Sequence, residues 1–182
     1  MRHIIIFGPP GAGKGTFAEM LNKEFGWEHI NMGAIIRKEI DEKTKIGNYA
    51  KKIIDAGELL GDNVINEIVK KRILEHTGNG IIYDGFPRTV AQAKMIDQLL
   101  NARKQNLDFL INLDCSQQVT VQRITERARD KNDNKEGAVH RFKVYERETK
   151  PVLNYFENKE KVITLNGDGS INDVYAKIKE LL

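Results

Sequence analysis

A glycine-rich segment near the start of the chain combines the residue types that bind a polyphosphate. It follows the apolar run 4–7 and reads Gly8-Pro9-Pro10-Gly11-Ala12-Gly13-Lys14-Gly15-Thr16. A polyphosphate requires inward-pointing backbone N–H groups, glycines that let the backbone close around it, a helix N-terminus and a lysine for its outer phosphates. The segment supplies these features in that order. It therefore predicts a phosphate-binding loop.

The residue after the loop lysine departs from the strict form of this motif. The strict form has Ser or Thr directly after the lysine, whereas Gly15 stands there and Thr16 comes one position later. A hydroxyl group in the strict position would bind Mg²⁺ directly. Its absence predicts a Mg²⁺ ion that is held chiefly by nucleotide oxygens and water.

A second motif follows the third predicted strand. It reads Tyr83-Asp84-Gly85-Phe86-Pro87-Arg88-Thr89 and is followed by Gln92. Glycine and proline predict a sharp exit from the strand, which leaves Asp84 and Arg88 at the carboxyl edge of a parallel sheet, beside the phosphate loop. A carboxylate in this place can organise hydrated Mg²⁺. The simpler alternative is a surface arginine next to a helix-capping threonine.

The two motifs resemble those of the adenylate kinases, whose loop is typically Gly-x-Pro-Gly-x-Gly-Lys-Gly-Thr. The resemblance runs nearly end to end and includes Arg123, Arg127, Arg141 and the stretch that contains Asp133. It implies a fold like that of the P-loop nucleoside triphosphate hydrolases, with a helical insertion that binds the nucleoside monophosphate at about 31–60 and a short lid at about 128–137. It also implies a Mg²⁺-dependent, reversible phosphoryl transfer from ATP to AMP that gives two ADP.

The resemblance also implies roles for individual residues. It places ATP on Gly11, Ala12, Gly13, Lys14, Gly15, Thr16 and Arg123. It places AMP on Met32, Gly33, Arg37, Leu60, Gly85, Arg88 and Gln92. The implied catalytic residues are Lys14, Arg88, Arg123, Arg127 and Arg141, and Asp84 contacts the metal through water. In the acceptor site, Arg37 and Arg88 would grip the AMP phosphate with planar, bidentate donors, and the amide of Gln92 would read the adenine edge.

Two positions of the expected acceptor site depart from the family pattern. Relatives usually carry Thr or Ser where Met32 stands, and Asp where Ala34 stands. We expect the missing hydroxyl group to reshape the pocket for the acceptor base, and the missing carboxylate to leave Asp84 as the main acidic partner of the metal. A UMP/CMP kinase or a broad-specificity nucleoside monophosphate kinase therefore stays an alternative to an AMP-specific enzyme.

Arginines cluster around a polar segment in the second half of the chain. Arg123 and Arg127 share one helical face, Arg129 follows them, and Arg141 begins an amphipathic stretch after the polar segment. Because phosphoryl transfer redistributes charge over phosphate oxygens, positioned cations carry much of its catalysis. Segment 128–137 would close as a lid and exclude water, which is a competing acceptor. The role of Arg129 stays open.

Apolar periodicity predicts the elements that position these motifs. Strands are expected at 4–7, 27–30, 81–83, 109–113 and 162–165. Helices are expected at about 14–25, 33–42, 46–56 and 62–76. Three more are expected from 89 to about 102, from 116 to about 129, and from 170 to the last residues of the sequence. The expected breaks are Gly47, Gly57 and Gly61, and the expected N-caps are Thr89, Ser116 and Ser170. This alternation predicts an α/β fold with a doubly wound, parallel, five-stranded sheet flanked by helices.

Length and composition bound the remaining possibilities. A chain of 182 residues can bury one substantial core and is too short for two, so we expect a single domain over 1–182. The net charge of +3 is far below that of typical nucleic-acid binders. The lone Cys115 suits a reducing compartment, and the run 4–7 is too short to span a membrane. We expect a cytoplasmic protein, monomeric by default, without nucleic-acid or membrane partners.

GTPases and non-catalytic nucleotide sensors can also contain a phosphate-binding loop. A GTPase should carry Asn-Lys-x-Asp after a later strand, but none of the Asn-Lys pairs at 22, 134 and 158 is followed by Asp in that position. A non-catalytic nucleotide sensor could keep the loop. The presence of Lys14, Arg88, Arg123, Arg127 and Arg141 argues against a sensor.

Overall fold

The computed structural model describes residues 1–128 and 133–182, in which five parallel strands form one sheet. The strands are β1 (Arg2–Phe7), β2 (Glu28–Asn31), β3 (Gly80–Asp84), β4 (Phe109–Asp114) and β5 (Val162–Asn166). Their order across the sheet is β2-β3-β1-β4-β5. The chain leaves the central strand β1 toward both sides of the sheet, so β1 ends at the switch point where doubly wound folds bind ligands. The predicted fold class and all five predicted strands are confirmed.

Helices cover the sheet and fill the connections between strands. They are α1 (Lys14–Phe25), α2 (Met32–Asp41), α3 (Lys45–Asp55), α4 (Asp62–Glu75), α5 (Val90–Ala102), α6 (Gln117–Arg127), α7 (Lys135–Val144), α8 (Pro151–Glu157) and α9 (Ile171–Lys179). A π-helical turn, Tyr145–Thr149, joins α7 to α8. Three helices, α2 to α4, lie between β2 and β3, as the sequence predicts. No helix in the described ranges is long and apolar enough to cross a membrane.

Alternation along β1 divides the apolar core between the two faces of the sheet. Ile5 and Phe7 belong to a cluster with residues of α2, α4, α5 and α8, and Ile4 and Ile6 belong to a cluster with residues of α1 and α9. Successive strand side chains point to opposite faces, so a strand covered on both sides must be apolar at consecutive positions. The central strand carrying the phosphate loop is therefore held firmly from both faces.

The three N-caps expected from the sequence are present. The hydroxyl group of Thr89 accepts a hydrogen bond from the backbone N–H of Gln92, and Ser116 and Ser170 cap α6 and α9 in the same way. Each hydroxyl oxygen satisfies a donor that the helix itself leaves unpaired. The cap at Thr89, three residues before Gln92, fixes where α5 starts.

Gly47 lies inside α3, so the predicted helix break at this residue is wrong. Thr44 caps α3, and its hydroxyl group accepts from the N–H of Gly47. A Cβ atom at Gly47 would overlap the carbonyl group of Glu39 at the end of α2. The glycine therefore allows α2 and α3 to pack closely, and it does not form the turn that the sequence predicts.

The region after α6 contains more helix than the sequence predicts. Helix α6 ends at Arg127, and α7 starts at Lys135, inside the segment 128–137 expected to form the lid. Arg141 consequently lies in the middle of α7, not at its start. The apolar residues of this region are few and are separated by charged residues. The ten-residue helix α7 therefore shows no clear apolar periodicity in the sequence.

The packing at Gly47 makes a stability prediction. Replacement Gly47→Ala should lower the free energy of unfolding by about 2 kcal/mol, because the backbone of α2 must shift to admit the methyl group. Urea denaturation followed by circular dichroism measures the change. Gly169→Ala is the matched control, since its Cβ would meet Val174 at an ordinary distance of 3.6 Å. Equal midpoints for the two variants would contradict the packing role.

Candidate active site

The phosphate loop is a run of left-handed glycine turns between β1 and α1. Gly8, Gly11 and Gly13 have φ angles of 137°, 88° and 90°, which side-chain-bearing residues rarely adopt. Helix α1 starts at Lys14, and no side chain caps its N-terminus. Its first N–H groups are therefore available to an anion, where the helix dipole also favours negative charge. The strand–loop–helix context predicted for this motif is present.

Close packing surrounds the loop on two sides. A Cβ atom on Gly11 would lie 2.6 Å from the carbonyl oxygen of Thr120, so α6 packs directly on the loop backbone. A Cβ atom on Gly15 would lie 3.3 Å from Oδ2 of Asp84. The place where the strict motif has a hydroxyl side chain is thus occupied by an approaching carboxylate.

The ammonium group of Lys14 lies within the loop. Its Nζ donates hydrogen bonds of 2.8 Å to the carbonyl oxygens of Gly8 and Pro9. Burial among the loop's backbone lowers the pKa of Lys14 to about 8, and the nearby carboxylate of Asp84 only partly opposes this change. A lysine in this place could contact the outer phosphates of a bound nucleotide.

Asp84 ends β3 directly beside the loop. It pairs in register with Ile6 of β1 and with Asn31 of β2, and only 7% of its surface is exposed. Nε2 of His29 lies 3.2 Å from its Oδ2. Sequence reasoning missed His29, although strand alternation places it on the same face as Asn31 once β2 lies next to β3.

A cavity opens next to Asp84, between α2, α4 and the start of α5. Its lining residues are Met32, Gly33, Ile36, Ile54, Glu58, Leu59, Leu60, Ile65, Gly85, Arg88 and Gln92. All residues expected to bind AMP are among them, with the exception of Arg37. Most of the lining is apolar, and Glu58, Arg88 and Gln92 supply its polar side chains, a composition typical of small-molecule sites.

The two arginines expected to grip the acceptor phosphate lie over glycines of this cavity. Nε of Arg88 donates to the carbonyl oxygen of Gly85 at 2.8 Å. A Cβ atom on Gly33 would lie 3.2 Å from Nη1 of Arg37, so the guanidinium group of Arg37 lies against the cavity-lining backbone. Side chains at either glycine would displace an arginine.

The arginines of α6 and α7 divide into two groups. Arg127 makes a bidentate contact with Asp133, at 3.1 Å from Nε and 2.9 Å from Nη2, and Arg141 donates to the same carboxylate. The side chain of Asp133 is only 1% exposed. Arg123 instead donates to the carbonyl oxygen of Gly167, at 3.0 Å, after β5. Arg129 lies outside the described residues.

Comparison with known proteins identifies the family. The family model for adenylate kinase matches residues 6–161. The adenylate kinase of Parabacteroides distasonis is 34% identical to the chain, over 99% of this chain and 97% of that protein. Adenylate kinase 1 of Nostoc sp. is 37% identical over 100% of this chain and 99% of that protein. The adenylate kinase of Oenococcus oeni is 36% identical over 100% of this chain and 97% of that protein. The chain belongs to the adenylate kinase family.

Membership of the adenylate kinase family confirms the resemblance inferred from the two sequence motifs. It also separates the chain from the GTPase alternative. The family model spans the phosphate loop, the Asp84–Arg88 turn and the arginines of α6 and α7, so the match extends over every part of the candidate site.

A contact between the cavity loop and helix α7 was not expected from the sequence. The carboxylate of Glu58, in the loop after α3, lies 3.1 Å from Nε2 of His140 in α7 and 3.4 Å from Nη2 of Arg147. The backbone of Gly57 also packs against the ring of His140. The cavity loop and helix α7 therefore touch, although more than eighty residues separate them.

The lowered pKa of Lys14 predicts proton uptake when ATP binds. Phosphate oxygens should raise the pKa of Lys14 above the value of about 8 that it has without ATP, so binding at pH 8.5 should take up as much as roughly 0.8 proton, against roughly 0.1 at pH 7. Calorimetry of ATP binding in two buffers with different ionisation enthalpies measures this uptake. Lys14→Arg should abolish it, because the guanidinium group is charged in both states. Identical heats in both buffers at pH 8.5 would contradict the role of Lys14.

Proposed function

We propose that this protein catalyses the Mg²⁺-dependent, reversible transfer of a phosphoryl group from ATP to AMP, giving two ADP. One observation carries the proposal: the phosphate loop and the Arg88–Gln92 cavity adjoin at the ends of two neighbouring strands. Ile6 of β1 pairs with Asp84 of β3, and the loop and the acceptor turn each start within two residues of that pair. A nucleoside triphosphate on the loop and a monophosphate in the cavity would therefore place their phosphates next to each other.

The reaction joins an oxygen of the AMP phosphate to the γ-phosphorus of ATP and breaks the bond from that phosphorus to the β,γ-bridging oxygen. No covalent enzyme intermediate is required, so the protein's contribution is positioning and charge stabilisation. Lys14 and the N–H groups at the start of α1 would hold the outer phosphates of ATP. Arg88 and Arg37 would orient the acceptor phosphate for an in-line approach.

Arg127 and Arg141 would act on the reacting phosphates. Both already converge on one anion, the buried carboxylate of Asp133. This contact holds two guanidinium groups within reach of a single negatively charged group, and phosphoryl oxygens have matching bidentate geometry. We place Arg123 with ATP, and its bond to the carbonyl oxygen of Gly167 would break or shift on binding.

The protein groups beside the loop fit a metal that is bound mainly by the nucleotide. Within the described ranges no group of three or more His, Cys, Asp and Glu residues could hold a metal ion, and Asp84 is the carboxylate next to Gly15. Mg²⁺ usually keeps several of its waters and is bound through one or two carboxylates together with substrate phosphates. Asp84 would hold such an ion through water. When bound, Mg²⁺ would neutralise charge on the reacting phosphates.

The proposal includes the domain organisation implied by the family resemblance. Segments 31–60 and 128–137 would move as the acceptor insertion and the lid of a single domain, and their closure would exclude water. Helix α7 starts at Lys135, inside the second segment. We further propose that the protein is a monomer and lies in the cytoplasm, and the free, buried thiol of Cys115 supports the reducing compartment.

A broader acceptor range is the second candidate function. Met32 is 3% exposed and supplies an apolar side chain to the cavity where relatives carry a hydroxyl group. An apolar pocket discriminates only weakly between bases of similar size. A broad-specificity kinase would therefore use CMP or UMP at rates comparable to those for AMP.

A coupled ADP-release assay tests the proposal. ATP, Mg²⁺ and each of AMP, GMP, CMP and UMP are supplied in turn, with a no-acceptor reaction to measure ATP hydrolysis. AMP should give the highest kcat/KM, and hydrolysis without acceptor should be slow. Lys14→Ala is the control for contaminating kinases, because it removes the loop cation. Folded protein without AMP-stimulated ADP formation would overturn the proposal, and equal use of CMP or UMP would favour the broad-specificity alternative.

Variants of two arginines should show different kinetic signatures. Arg88→Ala should raise KM for AMP as well as lower kcat, because Arg88 touches the acceptor phosphate already in the ground state. Arg127→Ala should chiefly lower kcat, by on the order of 10²-fold or more, because it acts on oxygens whose charge is redistributed during transfer. Steady-state kinetics with both substrates varied separates the two effects.

Arg103→Ala is the matched control for this pair, since Arg103 ends α5 away from the cavity and the phosphate loop. Its kcat and KM values should equal those of the unmodified protein. If folded Arg127→Ala protein keeps a normal kcat, Arg127 serves only to hold Asp133.

A further inference from the structure

The side-chain amide of Gln92 is held at both of its ends. Its Oε1 accepts a hydrogen bond of 2.7 Å from the backbone N–H of Arg88, and its Nε2 donates one of 2.8 Å to Oδ1 of Asp62. The same carboxylate oxygen accepts from the hydroxyl group of Thr89 at 3.0 Å. Gln92 is 2% exposed overall, and it lines the acceptor cavity.

The two anchors fix which end of the amide is the donor. A backbone N–H can only donate and an ionised carboxylate can only accept, so the oxygen must face Arg88 and the NH₂ group must face Asp62. A flipped amide would point two donors at each other at Arg88 and two acceptors at each other at Asp62. Buried donors and acceptors without partners are costly, so the flipped state is suppressed from both sides.

The fixed amide keeps one N–H and one oxygen lone pair for a ligand. A base that offers an amino group next to an unprotonated ring nitrogen matches this pair, because the amino group donates to Oε1 and the ring nitrogen accepts from Nε2. Adenine and cytosine have this edge. Hypoxanthine, guanine and uracil have the opposite edge, a carbonyl oxygen next to a ring N–H, and they would require the flipped amide.

We propose that Asp62 is a positioning residue that sets the base selectivity of the acceptor site by fixing the polarity of the Gln92 amide. The selectivity is for aminopurine and aminopyrimidine monophosphates over their oxo counterparts. This inference rests on the proposed function, because it concerns the base of the proposed acceptor. The apolar wall of the cavity would select the size of the base. The Gln92 amide, held in a clamp between Asp62 and the N–H of Arg88, would distinguish an amino edge from an oxo edge.

Asp62 is suited to this role by its position at the start of α4. It is the first residue of that helix, where a carboxylate is also favoured by the helix dipole. Its bond to Thr89, the N-cap of α5, ties α4 to the helix that carries Gln92. The clamp is therefore supported by two helix N-termini and does not depend on a mobile side chain.

Pairs of acceptors that differ mainly at the edge read by Gln92 test the proposal. The measurement is kcat/KM for AMP against IMP, and for CMP against UMP, with ATP and Mg²⁺ constant. The unmodified protein should favour the amino member of both pairs. Asp62→Asn should reduce both ratios by about tenfold, because a carboxamide can donate to a flipped Gln92 as well as accept from it. KM for ATP should not change.

Two controls separate positioning from a loss of structure. Asp173→Asn removes a carboxylate from the first turn of α9, away from the cavity, and should leave both ratios unchanged. In a Gln92→Ala background, Asp62→Asn should no longer alter the ratios, since the amide that it positions is gone. A merely structural role for Asp62 would change rates equally in both backgrounds.

The outcomes distinguish this inference from the proposed function. If AMP stimulates ADP formation but Asp62→Asn leaves the AMP/IMP and CMP/UMP ratios intact, the positioning role is wrong and the kinase activity stands. If Asp62→Asn does not fold, the unmodified protein decides: use of UMP equal to that of CMP overturns the inference, and preference for CMP supports it. If AMP gives no ADP at all, the proposed function itself fails.

Discussion

Backbone geometry at the end of β1 is the constraint on which the rest of the site depends. The loop turns through left-handed φ angles at Gly8, Gly11 and Gly13, and α6 and Asp84 approach it so closely that side chains would not fit. Those approaches exist because β1 is central and β3 lies next to it in the sheet. Strand order therefore places the phosphate site, the carboxylate and the acceptor cavity at one edge.

Charge in the site is arranged so that cations are held by groups a substrate can replace. Lys14 donates to carbonyl oxygens of its own loop, Arg88 to that of Gly85, and Arg123 to that of Gly167. Arg127 and Arg141 share a carboxylate. These partners keep each cation oriented without ligand, which lowers the ordering cost of binding an anion. In the proposed reaction each of these bonds would be exchanged for one to phosphate, which would offset part of that gain.

Sequence reasoning predicts well what depends on local pattern. Consecutive apolar runs identify the strands, and single hydroxyl residues identify the caps of α5, α6 and α9. The motif around Lys14 leads to the family because its chemistry lies in adjacent residues. Gly47 was misassigned because the same residue type serves both turns and close helix contacts, and only the position of α2 distinguishes them.

Features that depend on contacts distant in the chain were not predicted. The bond between Gln92 and Asp62 joins residues thirty positions apart, and the contact of His29 with Asp84 requires the strand order. Helix α7 was missed since its few apolar residues are interrupted by charged residues and form no continuous stripe. The roles of Gln92 and the arginines came from family resemblance, whereas the partners that orient them came from the structure.

In the proposed kinase, the contact of Glu58 with His140 and Arg147 would couple the binding of the two substrates. A ligand that orders the cavity loop would change the freedom of α7, and the reverse would hold by the same amount, so each substrate would alter the affinity of the other by one common factor. The paired groups are about half exposed, and each such pair contributes at most about 1 kcal/mol, which limits the factor to roughly fivefold for each of the two contacts. AMP can be titrated with and without a non-transferable ATP analogue, in the unmodified protein and in Glu58→Gln. If the ratio of the two AMP affinities is the same in both proteins, this contact does not couple the substrates.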